Sequence, residues 1–305
     1  MNRTLRLLVL LTLPASAHAT TETAAFLKVG VGARALAMGG AYTAVADDAN
    51  AIAWNPAALA AVSKRELGAT HTELTSDTRF DFISYAHPLK YGVLAAAGTY
   101  LSQARIQGRD VNGAPTGGYT AADQAATFGF ASKVLPDLGL GANVKYIRSS
   151  IAEASAQTGA LDMGAQYALS GMRGPGGPVI GATIQNLGPG IKFLDQTSQL
   201  PLTLALGIGY RLPAKLTLAL DYKNRPYSHD SEVGLGAEYG FLTNFALRAG
   251  YTTVKASAGD KAVLAAINGF SMGFGAKFHD YGVDYSFTPA GELGNVQTLS
   301  LGARF

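Results

Sequence analysis

The chain has 305 residues, 15% of them charged, with 37 glycines, no cysteine and a net charge of +3. Soluble domains carry about 25% charged residues and about 7% Gly, so an ordinary cytosolic enzyme is disfavoured. A hydrophobic content of 48% excludes a disordered chain, the lack of Cys excludes a disulfide scaffold, and 24 basic against 21 acidic residues leave no positive stripe for nucleic acid.

Residues 1–19 place Arg3 and Arg6 before the apolar run Leu7 to Leu13, then Pro14 and Ala17-His18-Ala19. This is the n-region, h-region and A-x-A pattern of a signal peptide, and it predicts cleavage near Ala19 with Thr20 as the mature start. A short buried helix is the competing reading, and Pro14 interrupts it. No later stretch of 18 apolar residues offers a helical membrane span. Export to the periplasm, to the medium or into the outer membrane all remain open at this point.

Residues 20–62 form the second unit. They are rich in Gly and Ala and show no alternation, and Ala-rich runs favour short helices. Asp48 is placed to cap a turn beginning at Ala49, and Asn55 to cap a helix whose first position is Pro56. Such a segment ahead of a barrel reads as a small helical plug in the lumen.

From residue 63 to residue 305 the pattern has period two. Leu202, Leu204, Leu206, Ile208 and Tyr210 interleave with Thr203, Ala205, Gly207 and Gly209, and Leu299, Leu301, Ala303 and Phe305 with Thr298, Ser300 and Arg304. Strict alternation marks a sheet with one apolar and one polar face. Charged residues recur in mid-strand on the small-residue face, which suits a polar lumen and not a sandwich core, and Tyr and Phe gather at strand ends as in interfacial girdles. The segments near 65–74, 79–87, 91–101, 122–133, 138–148, 159–168, 178–187, 201–211, 215–223, 232–241, 244–253, 268–278, 280–287 and 296–305 predict an all-β transmembrane antiparallel barrel of about fourteen strands. The longest connections are 102–121, 169–177, 188–200 and 254–267, so long external loops are few. The terminal Phe305, on the apolar face, resembles the signal by which outer-membrane barrels are recognised for assembly, which makes the barrel assembly machinery and membrane lipid the first expected partners.

By strand parity Lys145, Asp162, Asp221, Lys223, Glu238, Arg248, Lys277, Asp284 and Arg304 point into the lumen. Four acids against five bases give no field of one sign, so mutual pairing and anchoring of the plug through Arg34, Asp47 and Asp48 is the expected role.

Other constellations carry little chemistry. Gly269-Phe270-Ser271-Met272-Gly273 matches G-x-S-x-G, but alternation runs straight through it where the nucleophile elbow needs a strand-to-helix turn. His71, His87 and His229 stand singly, His279 and Asp280 fall at a hairpin turn, and Asp47, Asp48 and Asn50 lack the calcium-loop Gly and terminal Glu. Gly30, Gly32, Gly39 and Gly40 lack dinucleotide spacing. No enzyme, metal or cofactor is expected.

The run from Gly32 to Leu59, with Gly-Ala-Arg-Ala-Leu-Ala-Met-Gly-Gly-Ala, Ala-Asp-Asp-Ala and Trp-Asn-Pro-Ala, resembles the N-terminal signature of the PorV/PorQ family within the FadL-like superfamily of outer-membrane proteins. The resemblance implies a fourteen-stranded barrel with an N-terminal hatch. Its hatch residues would be Gly32, Arg34, Gly39, Gly40, Asp47, Asp48, Trp54 and the triplet Asn55-Pro56-Ala57. It implies an accessory role in protein export or surface attachment, with secretion-system proteins as partners. The alternative within the superfamily is a passive carrier of hydrophobic small molecules, its path lined by Phe26, Met38, Tyr42 and Trp54. The short loops depart from the fatty-acid transporters of the superfamily.

Overall fold

The computed structural model describes residues 22–74, 77–169, 176–193, 196–253, 269–289 and 295–305. The proposed leader, 1–19, and the connection 254–267 lie outside the described residues.

Eighteen strands follow in chain order: β1 Glu66–Glu73, β2 Thr78–Leu89, β3 Gly92–Gln103, β4 Ile106–Arg109, β5 Pro115–Tyr119, β6 Ala121–Leu135, β7 Leu138–Ile151, β8 Ala154–Ala168, β9 Pro178–Leu187, β10 Ile191–Phe193, β11 Gln196–Ser198, β12 Thr203–Leu212, β13 Leu216–Arg225, β14 Asp230–Tyr239, β15 Phe245–Thr252, β16 Phe270–Phe278, β17 Tyr281–Pro289 and β18 Asn295–Arg304. Fourteen of them close into one barrel in the order β1-β18-β17-β16-β15-β14-β13-β12-β9-β8-β7-β6-β3-β2. All the barrel pairings are antiparallel, and β1 seals the wall by pairing with β18 from Glu66↔Arg304 to Glu73↔Gln297. Closure leaves no strand edge unpaired, which a sheet in lipid requires. The remaining four strands make two small hairpins, β4–β5 and β10–β11, inside the connections 102–121 and 188–200 that the sequence presented as plain loops.

The alternation translates directly into two faces. On β12 the burial pattern alternates from Thr203 inward to Leu206 and Ile208 outward, and on β18 Thr298 and Ser300 are buried while Leu299 and Leu301 are exposed. Exposed Leu, Ile, Phe and Tyr cover the outside, an arrangement that water would penalise and hydrocarbon accepts. Tyr91, Phe278, Tyr281 and Phe305 are among the most exposed aromatic residues, and all lie at the barrel end where β1 begins and β18 finishes. This near end carries tight turns such as Phe278–Tyr281, whereas both small hairpins project at the far end. Short turns on one side and longer connections on the other identify the far end as external by the usual rule for such barrels.

Residues 22–62 pack against the inward-facing residues of the wall. Their helical content is thin: 3-10 turns at Ala25–Lys28 and Pro56–Ala61, with α1 (Ala33–Ala37) and α2 (Ala51–Trp54) between them. None is long enough to be stable alone, so their conformation depends on the surrounding wall. Tyr42, Met38, Ile52, Leu59 and Val45 are almost fully buried, with Phe80, Phe82 and Val93 of the wall in the same apolar cluster.

The small-residue face of the strands thereby acquires a second explanation. A Cβ at Gly236 would stand 2.5 Å from the Met38 carbonyl oxygen, one at Gly234 2.6 Å from that of Gly39, and one at Gly141 2.5 Å from Pro56. Real Cβ atoms do not approach so closely, so the glycines form a seat for passing backbone. Gly39 itself has φ +62, and a Cβ there would lie 2.7 Å from the Tyr251 backbone. The sequence marked this face as small or polar and lumen-facing, and much of it is a fitted contact surface.

Candidate functional site

Two different chemistries meet residues 22–62. Toward the near end a charged network holds them to the wall. Arg34 donates from Nε and Nη2 to the Glu238 carboxylate at 2.7 and 2.8 Å, and from Nη1 to Asp47 and to the Tyr42 hydroxyl. Arg248 donates to the same Glu238 at 2.6 Å and to Asp284 at 2.6 Å. Arg211 reaches Asp47 at 2.8 Å, and Glu66 accepts from Arg304 at 2.8 Å and from the Ala49 amide at 3.1 Å. Charge-assisted bonds of this kind are roughly twice as strong as neutral ones.

Asp47 and Asp48 are adjacent yet differ. Burial favours the neutral form of Asp47, but Arg34 and Arg211 override it and hold its carboxyl below the ordinary range. For Asp48 burial prevails: its carboxyl is pushed up, Arg34 and the Tyr42 hydroxyl only partly offsetting this. Asp48 also accepts the Asn50 amide at 3.0 Å, which makes it the capping residue expected from the sequence, while Asn50 precedes α2 without a side-chain cap.

Polar side chains fix the rest of the segment to the wall. The Asp221 carboxylate accepts the amides of Tyr42 and Thr43, both at 2.9 Å. Asn55 donates to the carbonyls of Thr43 and Ala165 and accepts the Ala57 amide at 3.1 Å, so it caps the 3-10 turn that starts at Pro56. Trp54 donates its indole N–H to Val31 at 2.8 Å. Asn143, Gln166 and Gln185 bind the carbonyls of Ile52, Ala44, and Ala53 with Trp54, respectively. Gly32 precedes α1 at φ +86, and Gly40 at φ +67 lies under Lys223 and Trp54.

Above the segment the lumen opens into a cavity of about 290 Å³. Phe26, Trp54, Phe80 and Phe82 line it together with Leu27, Val29 and Ile52, whereas Met38 and Tyr42 are packed away from it. Four cations also line it, and each has a carboxylate partner. Lys28 pairs with Glu22 at 2.9 Å; Lys145 with the fully buried Asp162 at 2.9 Å and with Asn186 at 2.7 Å; Lys223 with Glu232 at 3.2 Å; Arg225 with the same Glu232 at 3.0 Å. Lys223 Nζ additionally sits 4.9 Å from the Trp54 ring centroid, a cation–π contact. Asn186 takes φ +60 where the β8–β9 register shifts, so a bulge turns its amide onto Lys145 and Asp162.

Of the nine inward charges read from parity, seven enter these pairings directly: Lys145, Asp162, Lys223, Glu238, Arg248, Asp284 and Arg304. Asp221 binds backbone instead, and Lys277 is exposed at the near rim. Glu66, Arg211, Arg225 and Glu232 were missed. The latter two share the parity of Lys223 and Glu238 and were open to the same rule. Ser271 is buried in β16, accepting the Gly39 amide at 3.1 Å and donating to the Ala37 carbonyl at 3.3 Å, so it too fastens the segment. Among the described residues no three His, Asp or Glu converge as metal ligands.

A closed fourteen-stranded barrel with an apolar outer wall, and with a chain segment packed on its inner face, defines a transmembrane β-barrel protein. Residues 15–172 match the profile of the uncharacterised protein family UPF0164, and the chain belongs to that family. Comparison with curated proteins finds no match. Among solved structures it is similar to the CymD monoaromatic hydrocarbon channel (TM-score 0.64, 15% identity, covering 90% of this chain and 98% of that one). It is likewise similar to the Ralstonia pickettii toluene transporter TbuX (0.67, 14%, 90% and 98%) and to a Pseudomonas aeruginosa FadL homologue (0.55, 12%, 94% and 98%). Identities this low establish a shared fold.

Proposed function

We propose that this protein is a non-enzymatic, passive conduit for small uncharged hydrophobic molecules across the outer membrane, with residues 22–62 acting as its plug. The observation that carries this reading is the cavity of about 290 Å³, aromatic-lined and with every lining cation already paired to a carboxylate. Its volume lies at the lower edge of the roughly 300–1,000 Å³ of small-molecule sites. A carboxylate entering it would have to displace an existing partner from a lysine or from Arg225, whereas a neutral apolar ring needs only the space and the aromatic faces. The fold shared with monoaromatic hydrocarbon channels and a toluene transporter supports this direction.

The export-accessory role implied by the PorV/PorQ resemblance is the second reading, favoured by the Gly32–Leu59 signature. Much of that signature is explained by seating: Arg34, Gly39, Asp47, Asn55 and Pro56 all meet the wall or the segment itself.

Uptake separates the two. Cells expressing the protein should take up radiolabelled toluene several-fold faster than cells lacking it, and benzoate no faster. Filling the cavity with Ala97→Phe should abolish the difference. Equal rates with and without the protein, together with a stoichiometric secretion partner on mild extraction, would overturn the transport reading in favour of export.

A further inference from the structure

The outer wall is not uniform. On β18 the outward residues Leu299, Leu301, Ala303 and Phe305 form four apolar rows, and on β17 Tyr281, Val283, Tyr285 and Phe287 do the same. On the adjoining β1 the apolar run is only Leu67 and Ala69, after which His71 and Glu73 face outward. On β2 Asp81 and Arg79 stand opposite them, in register His71↔Asp81 and Glu73↔Arg79. His71 donates from Nδ1 to Asp81 at 2.7 Å, and both side chains are about half exposed. His71 is also in register with Leu299 of β18, so these groups sit at a depth where the neighbouring strand is still apolar.

Charges on a lipid-facing wall are costly at mid-bilayer, and the cost falls toward zero at the interface. A wall whose apolar height is halved on two strands draws the polar boundary inward locally. Directly below the His71–Asp81 pair the wall is hollowed by a groove of about 650 Å³. Its outward floor is the row Ala69, Ile83, Gly98 and Ala126, of which only Ile83 is large, and Tyr100, Tyr146 and Leu301 flank it.

We propose that this face holds one zwitterionic phospholipid bearing a primary ammonium, its headgroup on the charged square His71, Glu73, Arg79 and Asp81 and an acyl chain in the groove beneath. Charge complementarity carries the choice of occupant. Arg79 stands opposite Glu73 and two residues from Asp81 on its own strand, so one cation lies beside two carboxylates, which matches a headgroup with one phosphate and one ammonium and disfavours an anionic headgroup. A primary ammonium donates hydrogen bonds to Asp81 and Glu73, which a trimethylated one cannot. The inference is independent of what crosses the lumen.

Native mass spectrometry of the purified protein, after equilibration in mixed micelles of phosphatidylethanolamine, phosphatidylcholine and phosphatidylglycerol, tests it. The wild type should retain one phosphatidylethanolamine per barrel, at least five-fold over either competitor. The double variant His71→Leu/Asp81→Leu, which suits a lipid face, should lose that preference while keeping heat-modifiable gel mobility. The milder pair Glu73→Gln/Arg79→Gln should reduce it, and serves as the readout if the first fails to fold. Equal retention of the three lipids, unchanged selectivity in the folded variants, or a dimer that only the wild type forms with no lipid held would each overturn the proposal.

Discussion

The near and far halves of the lumen are built from the same strands and use charge in opposite ways. At the near end Arg34, Arg248 and Arg211 meet Glu238, Asp47 and Asp284 in one network, in which Arg34–Glu238 and Arg211–Asp47 link segment to wall. Around the cavity Lys223, Arg225 and Lys145 pair with Glu232 and Asp162 within the wall, and of these Lys223 reaches the segment through the Trp54 ring and not through an ion pair. The difference teaches that the first set anchors and the second set silences: one fixes the segment, the other gives every cation of the cavity a carboxylate partner.

Breaking the anchor has the largest expected effect. Arg34→Ala removes the bidentate partner of Glu238 and one of the two arginines on Asp47, leaving them only Arg248 and Arg211, and the lost charge-assisted bonds are worth about 3 kcal/mol. The expected outcome is a barrel that stays folded but shows open-channel steps in planar bilayers, with faster proteolysis of residues 22–62. Gly236→Leu attacks the seat and not the charge, and should give the same phenotype because its side chain needs the space of Met38. If both variants stay closed, the lumen is blocked by something other than this segment.

A smaller effect is expected from Asn55→Ala. It removes the cap of the 3-10 turn and two donor contacts, about 1–2 kcal/mol, and leaves the charges in place. Thermal scans in detergent should show an early transition confined to the segment.

The two aspartates sharpen the contrast through pH. Asp47 has a depressed carboxyl, so its contribution is present at neutral pH and is lost as pH falls through the depressed value. Asp48 has a raised one, so the segment gains from its protonation and loses that gain as pH rises through the raised value. Asp47→Asn should therefore loosen the segment at pH 7, and Asp48→Asn should leave it equal or tighter, as read by proteolysis rates at pH 4 and pH 7. Loosening by both at pH 7 would show that the two carboxyls act alike.

The wall was legible in the sequence because alternation is a property of each strand alone: each of the fourteen barrel strands overlaps one of the fourteen segments read from it, with ends that differ by up to five residues. The hairpins β4–β5 and β10–β11 were not, since strands of three to five residues carry too few periods. Parity also placed Glu238 and Arg248 in the lumen, but their partner could not be named from spacing: Arg34 is 204 residues from Glu238. The seat was hidden for the same reason. Gly234 and Gly236 are only a small-residue face when seen on one strand, and become a seat once Met38 and Gly39 are brought to them. The Asn186 bulge leaves no periodic trace, because one αL residue shifts register without changing composition.

The central claim is a cavity that accepts neutral apolar molecules and refuses anions of the same size. Trp54 is the single tryptophan of the chain and lines that cavity, so its fluorescence reports occupancy directly. Titration of the detergent-solubilised protein with toluene should change Trp54 emission saturably, and benzoate over the same range should leave it unchanged. A saturable response to benzoate equal to that of toluene, or no saturable response to either, would contradict the account.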